Sequence, residues 1–259
     1  MPYSMGLDVG LVAVKGVLLD DGKLVAQVIR ETGVKPGAEA ATCFEQLLRE
    51  ARVGKEKIQT CAVTGWGAKR VSLDLHALIH QEVACLAKGA KWLCPTSRTV
   101  VDMGAQIVKA ARFDEKAKVK RYDQSDKCAA GAGRFLDIMS AALELEVHKL
   151  AEIGASSERM MEISSQCSVF GESEIISYVN TGMKVEDIVN GINYSIAKRV
   201  STIIMRLGFQ EDVVVTGGVA KNGEVIRYLE DMLGIRFSPY EVDPQMIGAI
   251  GAGLMAWET

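Results

Sequence analysis

Apolar residues along this chain fall in short runs that end on acidic or glycine-containing turns, and the arrangement recurs. Residues 5–10 read as a buried strand ending in Asp8-Val9-Gly10, and 14–19 supply a second strand. The turn Asp20-Asp21-Gly22-Lys23 leads to a third strand over 24–30, so the chain opens as a meander. Ala40, Cys43, Phe44, Leu47 and Leu48 share one stripe at helical spacing and predict a helix over 39–51. A strand over 58–63, a turn at Thr64-Gly65-Trp66-Gly67 and a helix over 75–89 follow. Strands alternating with helices predict α/β architecture.

The opening pattern then returns. Residues 99–104 again read strand, Asp102, apolar residue, Gly104, with a second strand over 107–113, a turn at 114–117 and a third strand over 119–122. This is the signature of an internal duplication. Two related lobes, each presenting an Asp-x-Gly tip, would face one another across a cleft. Glycines there admit phosphates close to backbone N–H groups, and the aspartates suit magnesium, directly or through water. A third glycine turn ends the apolar run 212–216, at Thr216-Gly217-Gly218, ahead of a helix over 224–233. It reads as a wall for a base or ribose, or as a tight strand-to-helix turn. Helices are also predicted over 134–145, 147–153, 172–180 and 192–207, and small residues from Gly248 to Gly253 sit in a helical context.

Two cysteines stand apart from the others. Cys128 opens the run CAAGAGRF at 128–135, and Cys167 lies in SSQCSVFGESE at 164–174, each leading into a helix. Backbone N–H groups and the positive end of a helix dipole favour a thiolate, or an anionic cluster bound to one. Two thiols cannot complete a four-thiolate iron-sulfur site, but two chains on a two-fold axis can. Small buried thiols are the other reading.

Composition changes this picture only at its edges. The 259 residues suffice for two modest lobes, and 48% hydrophobic with 6% aromatic content predicts an aliphatic core. No apolar run is long enough to span a bilayer, and residues 1–6 lack the regions of a secretory leader, so a cytoplasmic protein with no membrane partner is expected. A net charge of -3, with acids and bases interspersed, offers no basic field for nucleic acid. Six cysteines then read as thiols or metal ligands rather than a disulfide framework, with Cys43, Cys61, Cys85 and Cys94 assigned to the core.

With CAAGAGRF, SSQCSVFGESE and VVTGGVAKN (214–222) in order, the whole chain resembles the ATP-dependent activators of 2-hydroxyacyl-CoA dehydratases, grouped with the ATPase subunits of benzoyl-CoA reductases. The resemblance implies the duplicated acetate kinase, sugar kinase, Hsp70 and actin fold (ribonuclease H-like), with lobes at 1–97 and 98–259 and the last helix packing back on the first lobe. It implies a homodimer, or a heterodimer of related chains, sharing one [4Fe-4S] cluster held by Cys128 and Cys167. ATP or ADP with Mg2+ would occupy the cleft. Asp8, Gly10 and Lys15 match the first phosphate loop, and Asp102, Gly104 and Gln106 the second. Thr216, Gly217, Gly218 and Asn222 match the adenosine side, and Gly248 is counted with them as a nucleotide contact. The implied activity is ATP-driven transfer of one electron, from ferredoxin or flavodoxin, at low potential to a partner iron-sulfur dehydratase or reductase.

This chain departs from the family pattern at four places. Leu11 and Val12 stand where the first loop continues with Ser and Thr, Ile107 replaces an acid in the second loop, and Leu86 follows Cys85 where a histidine is common. Lost hydroxyl and carboxylate contacts weaken phosphate positioning, on which phosphoryl transfer depends. The cluster half of the resemblance is intact and the ATPase half eroded. A small-molecule kinase on the same fold and a nucleotide-binding scaffold without hydrolysis are the alternatives.

Overall fold

The computed structural model describes residues 3–126, 132–157, 159, 161–163 and 167–258. The first meander is Tyr3–Val9 (β1), Ala13–Asp20 (β2) and Lys23–Glu31 (β3). Pro36–Ala51 (α1), Ile58–Thr64 (β4), Ala68–Leu75 (α2), Leu78–Ile79 (β5) and Glu82–Leu93 (α3) complete the first half. The second half opens with Thr99–Met103 (β6), Val108–Phe113 (β7) and Val119–Gln124 (β8). Ala132–Ala142 (α4), Leu150–Ala155 (α5), Ser168–Asn180 (α6) and Val185–Leu207 (α7) follow, then Val213–Thr216 (β9), Gly223–Leu233 (α8) and Ile247–Trp257 (α9).

Two mixed sheets repeat one topology, β3-β2-β1-β4-β5 and β8-β7-β6-β9, antiparallel through the meander and parallel from β1 to β4 and from β6 to β9. The duplicated α/β fold expected from the repeat is therefore present. One face of the first sheet packs Leu7, Val14 and Leu18 against Cys43, Phe44 and Leu47 of α1. One face of the second packs Val101, Met103 and Val108 against α7, whose Ile188, Ile192, Ile196 and Val200 are buried.

The opposite faces are covered reciprocally. From the first half, α3 lies on the second sheet through Leu86, Ala87 and Ala90. From the second half, α9 lies on the first sheet, where Ile247, Ala249 and Ile250 meet Val17 and Leu19. The two helices cross between the sheets at almost bare backbone: a Cβ on Gly251 would lie 1.8 Å from the Cys85 carbonyl oxygen, and one on Gly89 2.3 Å from that of Ile247.

Three expectations need correction. The helix expected over 75–89 is α2, β5 and α3, because His76 takes a left-handed conformation (φ 54°) that stops α2, and residues 78 and 79 then pair beside β4. The helix expected from 192 begins at Val185, with Glu186 and Asp187 in its first turn favouring the dipole's positive end. Cys94, assigned to the core, is half-buried at the end of α3 with its Sγ 3.3 Å from Thr96 Oγ1, and Cys61 is likewise half-buried.

Candidate functional site

Strands β1 and β6 both carry an aspartate at the cleft, and the sheets give the two the same neighbours. Asp8 pairs in register with Lys15 on β2 and Thr64 on β4. Asp102 pairs with Lys109 on β7 and Thr216 on β9. Each threonine is followed by a glycine at positive φ, Gly65 at 89° and Gly217 at 91°. A Cβ at Gly65 would lie 2.5 Å from Asp8 Oδ1, and one at Gly217 2.4 Å from the Met103 carbonyl oxygen, so both turns require glycine. From the two sets, Asp8, Lys15, Asp102, Lys109 and Gly217 line one cavity of about 390 Å³ between the sheets.

The charges in the two halves are arranged differently. Lys15 Nζ donates to Asp8 Oδ2 at 3.0 Å, both side chains being largely buried. Burial works against the Lys15 ammonium, but the charge and hydrogen bond of Asp8, helped by Asp102 and Glu82, raise its pKa overall. Lys109 is paired instead with Glu82, in the first turn of α3. Asp102 keeps a hydroxyl partner, Thr216 Oγ1 donating to its Oδ1 at 3.0 Å. Burial, then the charges of Glu82 and Asp8, push the Asp102 carboxyl up to about 6, against the pull of Lys109 and Lys15. At the start of α9 a glycine faces the other aspartate: a Cβ on Gly248 would sit 3.1 Å from Asp8 Oδ2.

All the cleft residues singled out in the sequence line this cavity: Asp8, Gly10, Lys15, Asp102, Gly104, Gln106, Gly217, Gly218, Asn222 and Gly248, with Thr216 buried beneath them. The Asn222 amide is committed within the protein, accepting from Val225 N at the start of α8 and donating to Asn193 Oδ1 at 2.9 Å. Leu11 and Val12 are exposed at the mouth beside Trp66. Sequence reasoning missed Glu82, Lys109, Lys221 and Gln245, which also line the cavity. Lys221 Nζ donates to Asp243 Oδ2 at 2.7 Å and Gln245 Oε1 at 2.8 Å. The signal for Lys109 was available: it follows Asp102 at the same spacing by which Lys15 follows Asp8.

The cleft is joined to the second cysteine by packed structure. Gly133 N and Arg134 N, at the start of α4, donate to the Gly104 and Ala105 carbonyls at 3.2 and 2.7 Å. The next residue of α4, Phe135, is buried against α6, where a Cβ on Gly171 would lie 3.3 Å from its ring. Cys167 is the N-cap residue of α6 and is exposed, with Val169 and Phe170 exposed beside it. The helix that the sequence predicted after this cysteine is therefore present. Cys128 lies outside the described residues. Among the described residues no three His, Cys, Asp or Glu side chains gather in one place to hold a metal ion, and no helix is long and apolar enough to cross a membrane.

Known proteins resemble this chain in sequence and fold. The profile described as the BadF/BadG/BcrA/BcrD ATPase family matches residues 5–256. The 2-hydroxyisocaproyl-CoA dehydratase activator of Clostridioides difficile is 38% identical over 99% of this chain and 95% of its own. The (R)-2-hydroxyglutaryl-CoA dehydratase activating ATPase of Acidaminococcus fermentans is 40% identical over 99% and 97%. A solved structure of the activator of the 2-hydroxyisocaproyl-CoA dehydratase from Clostridium difficile with bound ADPNP superposes with a TM-score of 0.91 at 38% identity, covering 99% of this chain and 94% of that one. A ROK family glucokinase from Streptomyces griseus shares the fold alone, at a TM-score of 0.61 and 11% identity, covering 99% of this chain and 100% of that one.

Proposed function

This chain belongs to the BadF/BadG/BcrA/BcrD ATPase family, and from that premise we propose that it is an ATP-hydrolysing activator of a partner iron-sulfur enzyme. Hydrolysis of ATP to ADP and phosphate in the cleft accompanies the passage of one electron, taken from ferredoxin or flavodoxin and given to an acceptor of the 2-hydroxyacyl-CoA dehydratase or benzoyl-CoA reductase type. The working form is a cytoplasmic dimer of identical or related chains, with Cys128 and Cys167 of each holding a shared [4Fe-4S] cluster. When bound, that cluster supplies a one-electron couple whose potential follows its exposure and hydrogen bonding.

The chain's own residues divide the work. The lobes, 1–97 and 98–259, close about the crossing of α3 and α9. Lys15, held by Asp8, offers charge to phosphate oxygens together with Mg2+, while Gly217 and Gly218 receive the nucleoside. Gln106 orients the attacking water, and the Asp102 carboxylate, held by the Thr216 hydroxyl, takes its proton. The observation that carries the proposal is the run from the 104–105 loop, hydrogen-bonded to the start of α4, through the packing of Phe135 against α6 to Cys167. Phosphate contacts on that loop bear directly on the helix that leads to the thiol, so nucleotide state and cluster geometry are mechanically linked.

The test is anaerobic reconstitution with iron and sulfide. We expect a brown dimer whose EPR signal after reduction differs between ADP and ATP. Cys167→Ala should lose the iron and keep nucleotide binding. A colourless protein with neither iron nor sulfide refutes the electron-transfer role, and ATP bound but never turned over, even with the partner enzyme, leaves a nucleotide-binding scaffold.

A further inference from the structure

The repeated sheet places a lysine beside each cleft aspartate, yet the two lysines have different partners. Both amines line the same cavity, one from each sheet. Lys15 is held by the aspartate beside it, whereas Lys109 is held by Glu82 from a different element, the first turn of α3. The side chain of Lys109 is 13% exposed and that of Glu82 29%. A buried ammonium has to keep an anionic partner, while a carboxylate at the rim can return to water at small cost. An incoming anion therefore displaces Glu82 more readily than it displaces Lys109.

The charge on the cavity wall points the same way. The deep lining groups are the carboxylates Asp8 and Asp102 against the ammonium groups Lys15 and Lys109, with Glu82 more exposed than either lysine; nearer the edge stand Asp137, and Lys221 already paired with Asp243. A polyphosphate brings several further negative charges into this confined space. With Lys15 bound to Asp8, a second lysine released from its carboxylate adds to the favourable field there.

We infer that Lys109 is a second phosphate-binding residue, positioned by Glu82 and exchanging that carboxylate for the terminal phosphates of a bound nucleoside triphosphate. The inference rests on the reading of the cleft as an ATP site and extends it: the duplicated fold grips the polyphosphate with one lysine from each half. Glu82 acts through Lys109 and is a positioning residue, whose removal strengthens the grip.

Calorimetric titration of the wild-type protein and three variants with ATP, ADP and AMP, in the presence of magnesium, tests this. Lys109→Met should weaken ATP by about ten- to a hundredfold, as expected for a lost charge-assisted hydrogen bond, and leave AMP nearly unchanged. Glu82→Gln should bind ATP several-fold more tightly, and the gain should vanish in the Glu82→Gln, Lys109→Met double variant. Tighter binding is a result that a misfolded or merely weakened protein does not give. Lys109→Met binding ATP as well as wild type, or Glu82→Gln weakening ATP and AMP alike, overturns the inference. Wild-type protein that binds none of the three nucleotides defeats the ATP-site reading itself.

Discussion

The α3–α9 crossing leaves no room for even one methyl group, which makes Gly251→Ala a severe test of the packing. The added Cβ would lie 1.8 Å from the Cys85 carbonyl oxygen and within 2.8 Å of its carbonyl carbon and Cα. All three are main-chain atoms, so no rotamer relieves the overlap. Restoring ordinary contact near 3.4 Å means parting the helices by on the order of 1.5 Å. Gaps of about 0.5–1 Å already forfeit a quarter to a half of the dispersion well for each facing atom pair. Buried Ile247, Ile250 and Ala252 lie along the opened seam. Overpacking costs about 1–3 kcal/mol, and backbone on one side puts this case near 3 kcal/mol. At about 2–4 °C per kcal/mol for a chain approaching this length, the melting temperature should fall by roughly 6–12 °C. Thermal melts followed by circular dichroism measure it. Gly223→Ala is the control: it begins α8 with nothing within 4 Å of the new Cβ, and should be neutral or gain up to about 1 kcal/mol from helix propensity. If Gly251→Ala melts with wild type, the crossing is not the tight contact described.

Two further outcomes are expected from the titrating groups. In the cluster-free protein, iodoacetamide should modify exposed Cys167 well before Cys43 and Cys85, whose thiols burial pushes up to about 12; peptide mass spectrometry that finds either buried thiol modified first contradicts this. The Asp102 carboxyl binds its proton more tightly folded than unfolded, so its contribution to stability is full below about pH 4 and is lost as pH rises through about 6. Asp102→Asn lacks that loss, so urea denaturation without nucleotide or magnesium should show the variant gaining on wild type between those pH values, by at most about 3 kcal/mol. A difference independent of pH refutes the reasoning.

The sequence made the cleft legible because its chemistry is local. A strand followed by Asp-x-Gly is visible in a few residues, and its return at Asp102 announced the repeat. Pairings between elements were harder to see. Lys109 could be placed beside Asp102 once the hairpin register was known, but its attachment to Glu82 depends on how α3 lies across the second sheet. The helix expected over 75–89 was misread because its apolar residues continue past His76, where a single left-handed residue ends α2. Cys94 looked like a core residue from its apolar neighbours, and only the end of α3 brings it half into solvent. Cys167 at a helix start was legible from the loop before it, whereas its connection to the 104–105 loop through α4 needed three-dimensional packing.

Each half of this molecule lends its final helix to roof the other's sheet, and the loan is mutual. Two unfused half-length chains of this kind would reach the same burial by swapping terminal arms, with the cleft forming at their junction. The two arms differ where they reach the cleft, α3 bringing Glu82 and α9 bringing Gly248. Cutting the polypeptide just after the first arm would leave two fragments each unable to bury its own sheet and each completed by its complement.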